Sequence, residues 1–202
     1  MSEPQIVGLS LVRNEDRFIA RVLENVAGFC DRLIVADHES TDQTPERVWA
    51  VAQRHPHVEY RRIRQAPESH AIIRPLAGTA TWIFAVDGDE IYEPDRLSRL
   101  RERIKRGELH AFRQVYGHVL NVSELDETTH IARGYLAPPC RSMTKLFNFQ
   151  AIRDWEGPCP QRLHGGRIVF ADGYDATMNA EFHRQFSWED SPFRCLHTVF
   201  LR

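Results

Sequence analysis

Apolar positions in the first half of the chain fall into two alternating patterns: short continuous runs, and longer stretches with helical spacing. Gln5 to Val12 is a continuous run that breaks at Arg13-Asn14-Glu15. Phe18, Ile19, Val22, Leu23 and Val26 then recur three and four apart, which predicts a helix with Gly28 as its terminator. Arg32 to Ala36 carries the second run and stops at Asp37, followed by the polar loop His38-Glu39-Ser40-Thr41-Asp42. A second helix is expected with Thr44 as cap, Pro45 at its first position and Val48, Val51 and Ala52 inward. His57 to Arg64 is a weaker strand, and Glu68 to Thr79 reads as a helix disturbed by Pro75. Ala80 to Val86 holds six apolar residues out of seven and no charge, the pattern of a strand buried on both faces.

This strand–helix alternation predicts an α/β fold with a mostly parallel sheet and right-handed crossovers. The first, second and fourth strands all end in polar or acidic residues, which such a sheet gathers at one edge. Asp95 to Lys105 reads as a surface helix, with Leu97, Leu100 and Ile104 inward and five basic residues outward. A basic amphipathic helix can lie on a membrane, but a short one with a sheet to cover is better read as a solvated face. Beyond residue 110 the character changes. Residues 111–120, 141–149 and 167–171 are strand-like and separated by loops rich in Gly, Pro and Asp. The expectation is one domain over 1–202, with a βαβα half to residue 110 and a looser mixed half over 111–202.

Composition changes this picture little. A net charge of −2 over 202 residues offers no basic field for nucleic acid. Cys30, Cys140, Cys159 and Cys195 form no C-x-x-C pair and read as free thiols in a reducing compartment. The N-terminal residues do not resemble a signal peptide, and no apolar run is long enough for a membrane span, so a cytoplasmic location is expected.

Candidate chemistry concentrates at Asp87-Gly88-Asp89-Glu90, where three carboxylates close the fourth strand. Like charges this close repel, and either a divalent cation or solvation in open water relieves them. Gly88 lets the backbone bend between the two aspartates. Oxygen ligands suit Mn²⁺ or Mg²⁺, ions commonly shared with substrate phosphates. A solvated strand exit explains the same three acids equally well.

Taken together, the three polar strand ends are more specific. Ser10-Leu11-Val12-Arg13-Asn14-Glu15, Asp37-His38-Glu39-Ser40-Thr41-Asp42-Gln43-Thr44 and Asp87-Gly88-Asp89-Glu90 resemble, in order and spacing, glycosyltransferase family 2, the inverting nucleotide-sugar transferases with the GT-A fold. The resemblance is strong over residues 4–95 and weaker beyond. It implies a GT-A-like, Rossmann-type sheet flanked by helices, with the nucleotide sugar bound by the first half and the acceptor by the mixed second half. It places Leu11, Val12, Arg13 and Asn14 against the base and ribose. It assigns Asp37 a hydrogen bond from the base, which favours a UDP- or dTDP-linked donor, with His38 beside it in the nucleotide loop. Asp87, next to Gly88, would meet the ribose or a metal-bound water, and Asp89 would be the direct ligand of Mn²⁺ or Mg²⁺. The segment from Phe193 to Arg202 resembles family endings that supply a late histidine to the metal, so His197 is preferred over His183. Arg194 and Arg202 would reach phosphate oxygens, and His70 and Arg74 match loosely a region that faces the diphosphate.

An inverting transferase also needs a carboxylate to take the proton from an acceptor hydroxyl. Asp154, Glu156 and Asp172 are candidates, with Glu189 and Asp190 behind them. Arg153 to Pro160 reads as a loop lining an acceptor pocket, and Glu156 is preferred because Trp155 beside it offers a face for a sugar. Three rival readings stay open. A haloacid-dehalogenase-like phosphohydrolase shares an acidic motif after an apolar strand but leaves the loop after Asp37 unexplained. A nucleotidyltransferase would open with a Gly-rich phosphate loop, which residues 5–20 lack. A non-catalytic nucleotide-sugar-binding module would keep the fold alone.

Overall fold

Each apolar run of the first half becomes a strand of one sheet. In chain order these elements are β1 (Gln5–Val12), α1 (Ile19–Ala27), β2 (Arg32–His38), α2 (Thr44–Ala52), β3 (Val58–Ile63), α3 (Glu68–Ile73) and β4 (Thr81–Ala85). The structure, a computed structural model, describes residues 3–136, 142–157 and 166–201, with 142–144 described by backbone alone. Cys140, Cys159, Arg202 and the stretch from Pro158 to Pro160 lie outside the described residues. β1 pairs in parallel with both β2 and β4, and β2 with β3, so the strands lie in the order 3-2-1-4. Pro75 ends α3 as expected: with no N–H to continue the ladder, the chain passes into a 3-10 turn at Arg74–Leu76.

The second half adds β5 (Glu90–Tyr92), α4 (Pro94–Lys105), β6 (Gln114–Asp126), β7 (Ile131–Tyr135), β8 (Ser142–Asn148), β9 (Ile152–Glu156), β10 (Arg167–Phe170), β11 (Asn179–Glu181), α5 (Phe182–Gln185) and β12 (Arg194–His197). The sheet continues from β4 through β8, β6, β12 and β5. β8 runs antiparallel to both neighbours, whereas β12 is parallel to β6 and antiparallel to β5. One continuous sheet therefore joins a parallel half to a mixed half, with helices packed on it. This is the expected fold class.

Strand alternation divides the buried side chains between two faces. Ile6, Val35, Trp82 and Phe84 meet the apolar stripes of α1, α2 and α4. Val7, Leu9, Ile34, Ile83 and Phe147 meet Ile73, Phe149, Ile152 and Trp155 on the other face. α4 buries Leu97, Leu100 and Ile104 as its spacing predicts. Its basic side is not simply solvated, because Arg101 and Lys105 both donate to Asp31 at the start of β2. Burial alone would raise the Asp31 carboxyl, but hydrogen bonds from Arg101, Lys105 and the Ile6 N–H outweigh it and hold the group below its ordinary range. Among the described residues, no helix is long and apolar enough to cross a membrane. Cys30 and Cys195 are buried thiols in no disulfide, and burial pushes the Cys30 thiol up to about 12.

Two local expectations are corrected. Thr44 is the first residue of α2 rather than its cap, and Asp42 Oδ1 accepts the Thr44 N–H instead. Of the stretch Arg153 to Pro160 read as an acceptor loop, Arg153 to Glu156 belong to strand β9, paired antiparallel with β10, and Pro158 to Pro160 lie outside the described residues.

Candidate active site

Because β2, β1 and β4 are adjacent and parallel, their polar ends meet at one sheet edge, with Val12 in register with Asp37. The two loops leaving β1 and β2 are bolted together. Asn14 N–H donates to Ser40 Oγ, Glu15 N–H to Thr44 Oγ1 and Asp16 N–H to Asp42 Oδ2, while Asn14 Oδ1 accepts from the Thr41 N–H. Asn14 and Glu39 adopt positive φ of 56° and 52° to make these turns, conformations that asparagine tolerates better than most side chains.

Much of the family motif is thus spent on bracing. Asp37 is fully buried. It accepts from Ser40 N–H at 2.9 Å, Ser40 O–H at 2.5 Å and Tyr60 O–H at 2.6 Å. Burial, and then the Asp37 hydrogen bond, push the Tyr60 hydroxyl up to about 12, so it stays a donor. The resemblance gives Asp37 to the base; in the structure its buried carboxylate braces the loop through Ser40 and Tyr60. His38, the next residue, is half-buried and alternates to the opposite face. Val12 is likewise a core residue, whereas Leu11 is partly exposed and Arg13 and Asn14 are exposed.

At the end of β4 the acids are held by residues from three other strands. Lys145 of β8 places Nζ 2.5 Å from Asp87 Oδ2 and 3.2 Å from Glu90 Oε1. Glu90 also accepts from Tyr92 O–H at 2.8 Å. Burial, and then Glu90, push that hydroxyl well above its ordinary range. Asp89 Oδ2 lies 3.5 Å from His197 Nε2, and the Asp89 carbonyl accepts from both the N–H and the O–H of Thr198. His197 Nδ1 is 3.0 Å from Asn121 Oδ1. An amide oxygen accepts, so Nδ1–H donates to Asn121 and Nε2 is the ring nitrogen that faces Asp89.

This pair fits a divalent cation. An ion about 2.0–2.2 Å from an oxygen and a nitrogen holds them about 3–3.5 Å apart. Among the described residues, no three metal-type side chains cluster together. Such a two-ligand site would need phosphate and water oxygens to complete it, as divalent ions shared with substrate phosphates do. Lys145, Asn121 and Thr198 have no place in the motif-based expectation. Only Lys145 left a trace in the sequence, as the lone charge in the strand-like run Met143 to Phe147.

The acceptor-side expectations fare differently. Trp155 is 2% exposed, packed against Phe149 with Arg74 over its ring, so it offers no face to a sugar. Arg74 also binds Asp154 at 2.8 Å and the Trp155 carbonyl, and so faces β9. The Arg74 hydrogen bond, with the Trp155 N–H, holds the Asp154 carboxyl below its ordinary range and weakens it as a base. Glu156, exposed at the end of β9, makes no ion pair among the described residues. Asp172 pairs with Arg153, and Asp190 with Ser187. Arg194 does not point to a phosphate site: Glu93 and the Trp188 carbonyl hold it. His183 lies beside Tyr116, and His70 is partly buried, which lowers its pKa.

A model for the family described as glycosyl transferase family 2 matches residues 11–175. No curated protein matches the chain. Among solved structures, S. aureus TarS 1–349 in complex with UDP is similar at 12% identity and a TM-score of 0.49, over 88% of this chain and 60% of that one. The Pyrobaculum calidifontis mannosyltransferase PcManGT, in complex with GDP-Man and Mn²⁺, is similar at 22% identity and a TM-score of 0.41, over 61% of this chain and 37% of that one. A 4-diphosphocytidyl-2C-methyl-D-erythritol synthase from Anaerococcus prevotii gives 10% identity and a TM-score of 0.43 over 74% of each chain. This chain spans less than two thirds of TarS 1–349 and of PcManGT. The family match runs from the end of β1, through the interlocked loops and the acid cluster, to just past β10: the chain belongs to glycosyl transferase family 2.

Proposed function

We propose that this chain is a metal-dependent inverting glycosyltransferase that moves a sugar from a UDP- or dTDP-linked donor to an acceptor hydroxyl. The observation that carries the reading is the pairing of Asp89 with His197 at the edge where the β1 and β2 loops meet. Leu11, half-buried on the same sheet face as His38 and Asp87, offers an apolar shelf for a base. His38, rather than the buried Asp37, reads the base edge from this loop. Asp87, oriented by Lys145, faces the ribose. Asp89 and His197 would hold Mn²⁺ or Mg²⁺, which supplies positive charge where the leaving diphosphate gains negative charge. Glu156 takes the acceptor proton, since Arg74 occupies Asp154.

Calorimetric titration of UDP, dTDP, GDP and ADP, each with Mn²⁺ and with chelator, tests this. The expected result is Mn²⁺-dependent binding of a pyrimidine diphosphate that Asp89→Ala abolishes and His38→Ala makes less selective. Nucleotide binding with no metal dependence removes the Asp89–His197 assignment. Release of phosphate from small phosphoesters without nucleotide binding turns the reading toward a phosphohydrolase. For Glu156→Gln, donor binding should persist while transfer is lost.

A further inference from the structure

β3 is the outer strand of the parallel half, and among the described residues it pairs with β2 alone. The phase of that pairing fixes which of its backbone groups face outward. Leu33 N–H donates to the His57 carbonyl while Leu33 stands in register with Val58. In a parallel ladder of this phase His57, Glu59, Arg61 and Ile63 turn their N–H and C=O groups toward β2, and Val58, Tyr60 and Arg62 turn theirs away. The Val58 N–H is taken by the His55 carbonyl, which leaves the Val58 carbonyl and both groups of Tyr60 and Arg62 along the edge. Such an edge is a template for another strand, and charges along it normally deter pairing. Here the two charges on one face differ in sign: Glu59 and Arg61 are two residues apart and paired at 3.1 Å. On the other face Trp49 of α2 is 54% exposed and leans on Tyr60, with ring centroids 5.3 Å apart.

We propose that β3 is the contact of a two-fold dimer, in which it pairs antiparallel with β3 of a second copy, Tyr60 opposite Tyr60. In that register the N–H and C=O of Tyr60 bond the same groups of the second copy's Tyr60, and Arg62 N–H bonds the Val58 carbonyl across the axis. Glu59 stands directly opposite Arg61 of the second copy, and Arg61 opposite its Glu59, so both cross-strand pairs attract. Centring the contact on Glu59 or on Arg61 instead sets like charges face to face. Charge therefore selects the Tyr60 register. Glu59 then lies between Arg32 of its own β2 and Arg61 across the axis. On the other face the two Tyr60 rings meet and bring their Trp49 neighbours toward the axis, which covers the exposed indole. A patch that complements itself in this way is what a two-fold contact requires. Neither the donor nor a metal ion enters this contact.

Sedimentation velocity of the full chain over about 1–200 µM protein tests this. The unaltered protein should pass from monomer to dimer as concentration rises. Arg61→Glu places acid opposite acid at both symmetry-related positions and should weaken the dimer about tenfold or more. Arg62→Pro removes an outward N–H, leaves the bonds to β2 in place and should weaken the dimer likewise. Glu59→Arg alone should also dissociate, but mixed in equal amounts with Arg61→Glu it should form a heterodimer, because each acid then faces an arginine. A monomer over the whole range overturns the proposal. So does a dimer that either Arg61→Glu or Arg62→Pro leaves unchanged, since the contact would then lie elsewhere. Failure of the two folded charge variants to associate when mixed overturns the Tyr60 register. Where Glu59→Arg does not fold, loss of the dimer in both Arg61→Glu and Arg62→Pro, with far-UV circular dichroism unchanged, supports the contact.

Discussion

At Gly88 the acid loop has no room for a side chain. A Cβ there would lie 2.9 Å from Glu15 Cγ and 3.0 Å from Glu15 Cβ, so the glycine lets the β4 end close onto the loop after β1. Gly88→Ala must displace Glu15 and the loop bolted to Ser40 and Thr44. We expect a loss of about 1–3 kcal/mol in urea unfolding, together with weaker Mn²⁺-dependent nucleotide binding. Unchanged stability would mean that the two loops move independently. The same contact shows what was legible at this scale. The three polar strand ends point to the site from sequence alone, because strand order brings them together. Which of their side chains meet a ligand was not legible. Asp37 is consumed by Ser40 and by Tyr60 from a different strand, and Asp87 by Lys145, 58 positions away. Partners at such separations leave no local pattern.

Among the elements, β3 flanks the parallel half and is tied to β2 by Glu59, which binds Arg32 in two places and also Arg61. The Arg32 hydrogen bond is the main reason the Glu59 carboxyl falls to about 2 from an ordinary 4.5. A carboxyl depressed by folding adds stability above its unfolded pKa and loses it as acid protonates the folded form. The contribution of Glu59 should therefore be complete above about pH 4.5 and gone near pH 2. Both partners are more than a third exposed, so solvent limits it to about 1 kcal/mol or less. Urea midpoints measured across that window should fall less steeply for Glu59→Gln than for the unaltered protein, and parallel slopes would remove the pair as a contributor. Long elements such as α4 and β1 were legible because their periodicity extends over many residues. β5, β11 and β12, three or four residues each, were not. They exist as strands through their neighbours, and the Arg-Cys-Leu-His of β12 carries no strand signal of its own.

Over the whole molecule, the decisive feature is the insertion of β12 between β6 and β5. The family resemblance was strong over the parallel half, where contacts follow chain order, and weak beyond it, where β12 returns to elements much earlier in the chain. The clamp of Thr198 on the Asp89 carbonyl, and the approach of His197 to the Asp89 carboxylate, come from this return. β5 has its only strand partner in β12 among the described residues, so the two should open together. In hydrogen exchange, amides of Cys195 to His197 and of Glu90 to Tyr92 should lose protection with the same free energy. Exchange of β12 at a much lower cost, with β5 still protected, would show that β5 holds its place without its strand partner.

That insertion also has a consequence for biosynthesis. Asp89 and Thr198 are 109 residues apart, so at roughly 5–20 residues per second the ribosome releases the acids roughly 5–20 s before the strand that completes their site. A nascent chain already able to fold the loops after β1 and β2 remains without His197 and Thr198 for that interval. The Asp89 carbonyl therefore stays without its two Thr198 donors until every strand from β6 to β12 has been made.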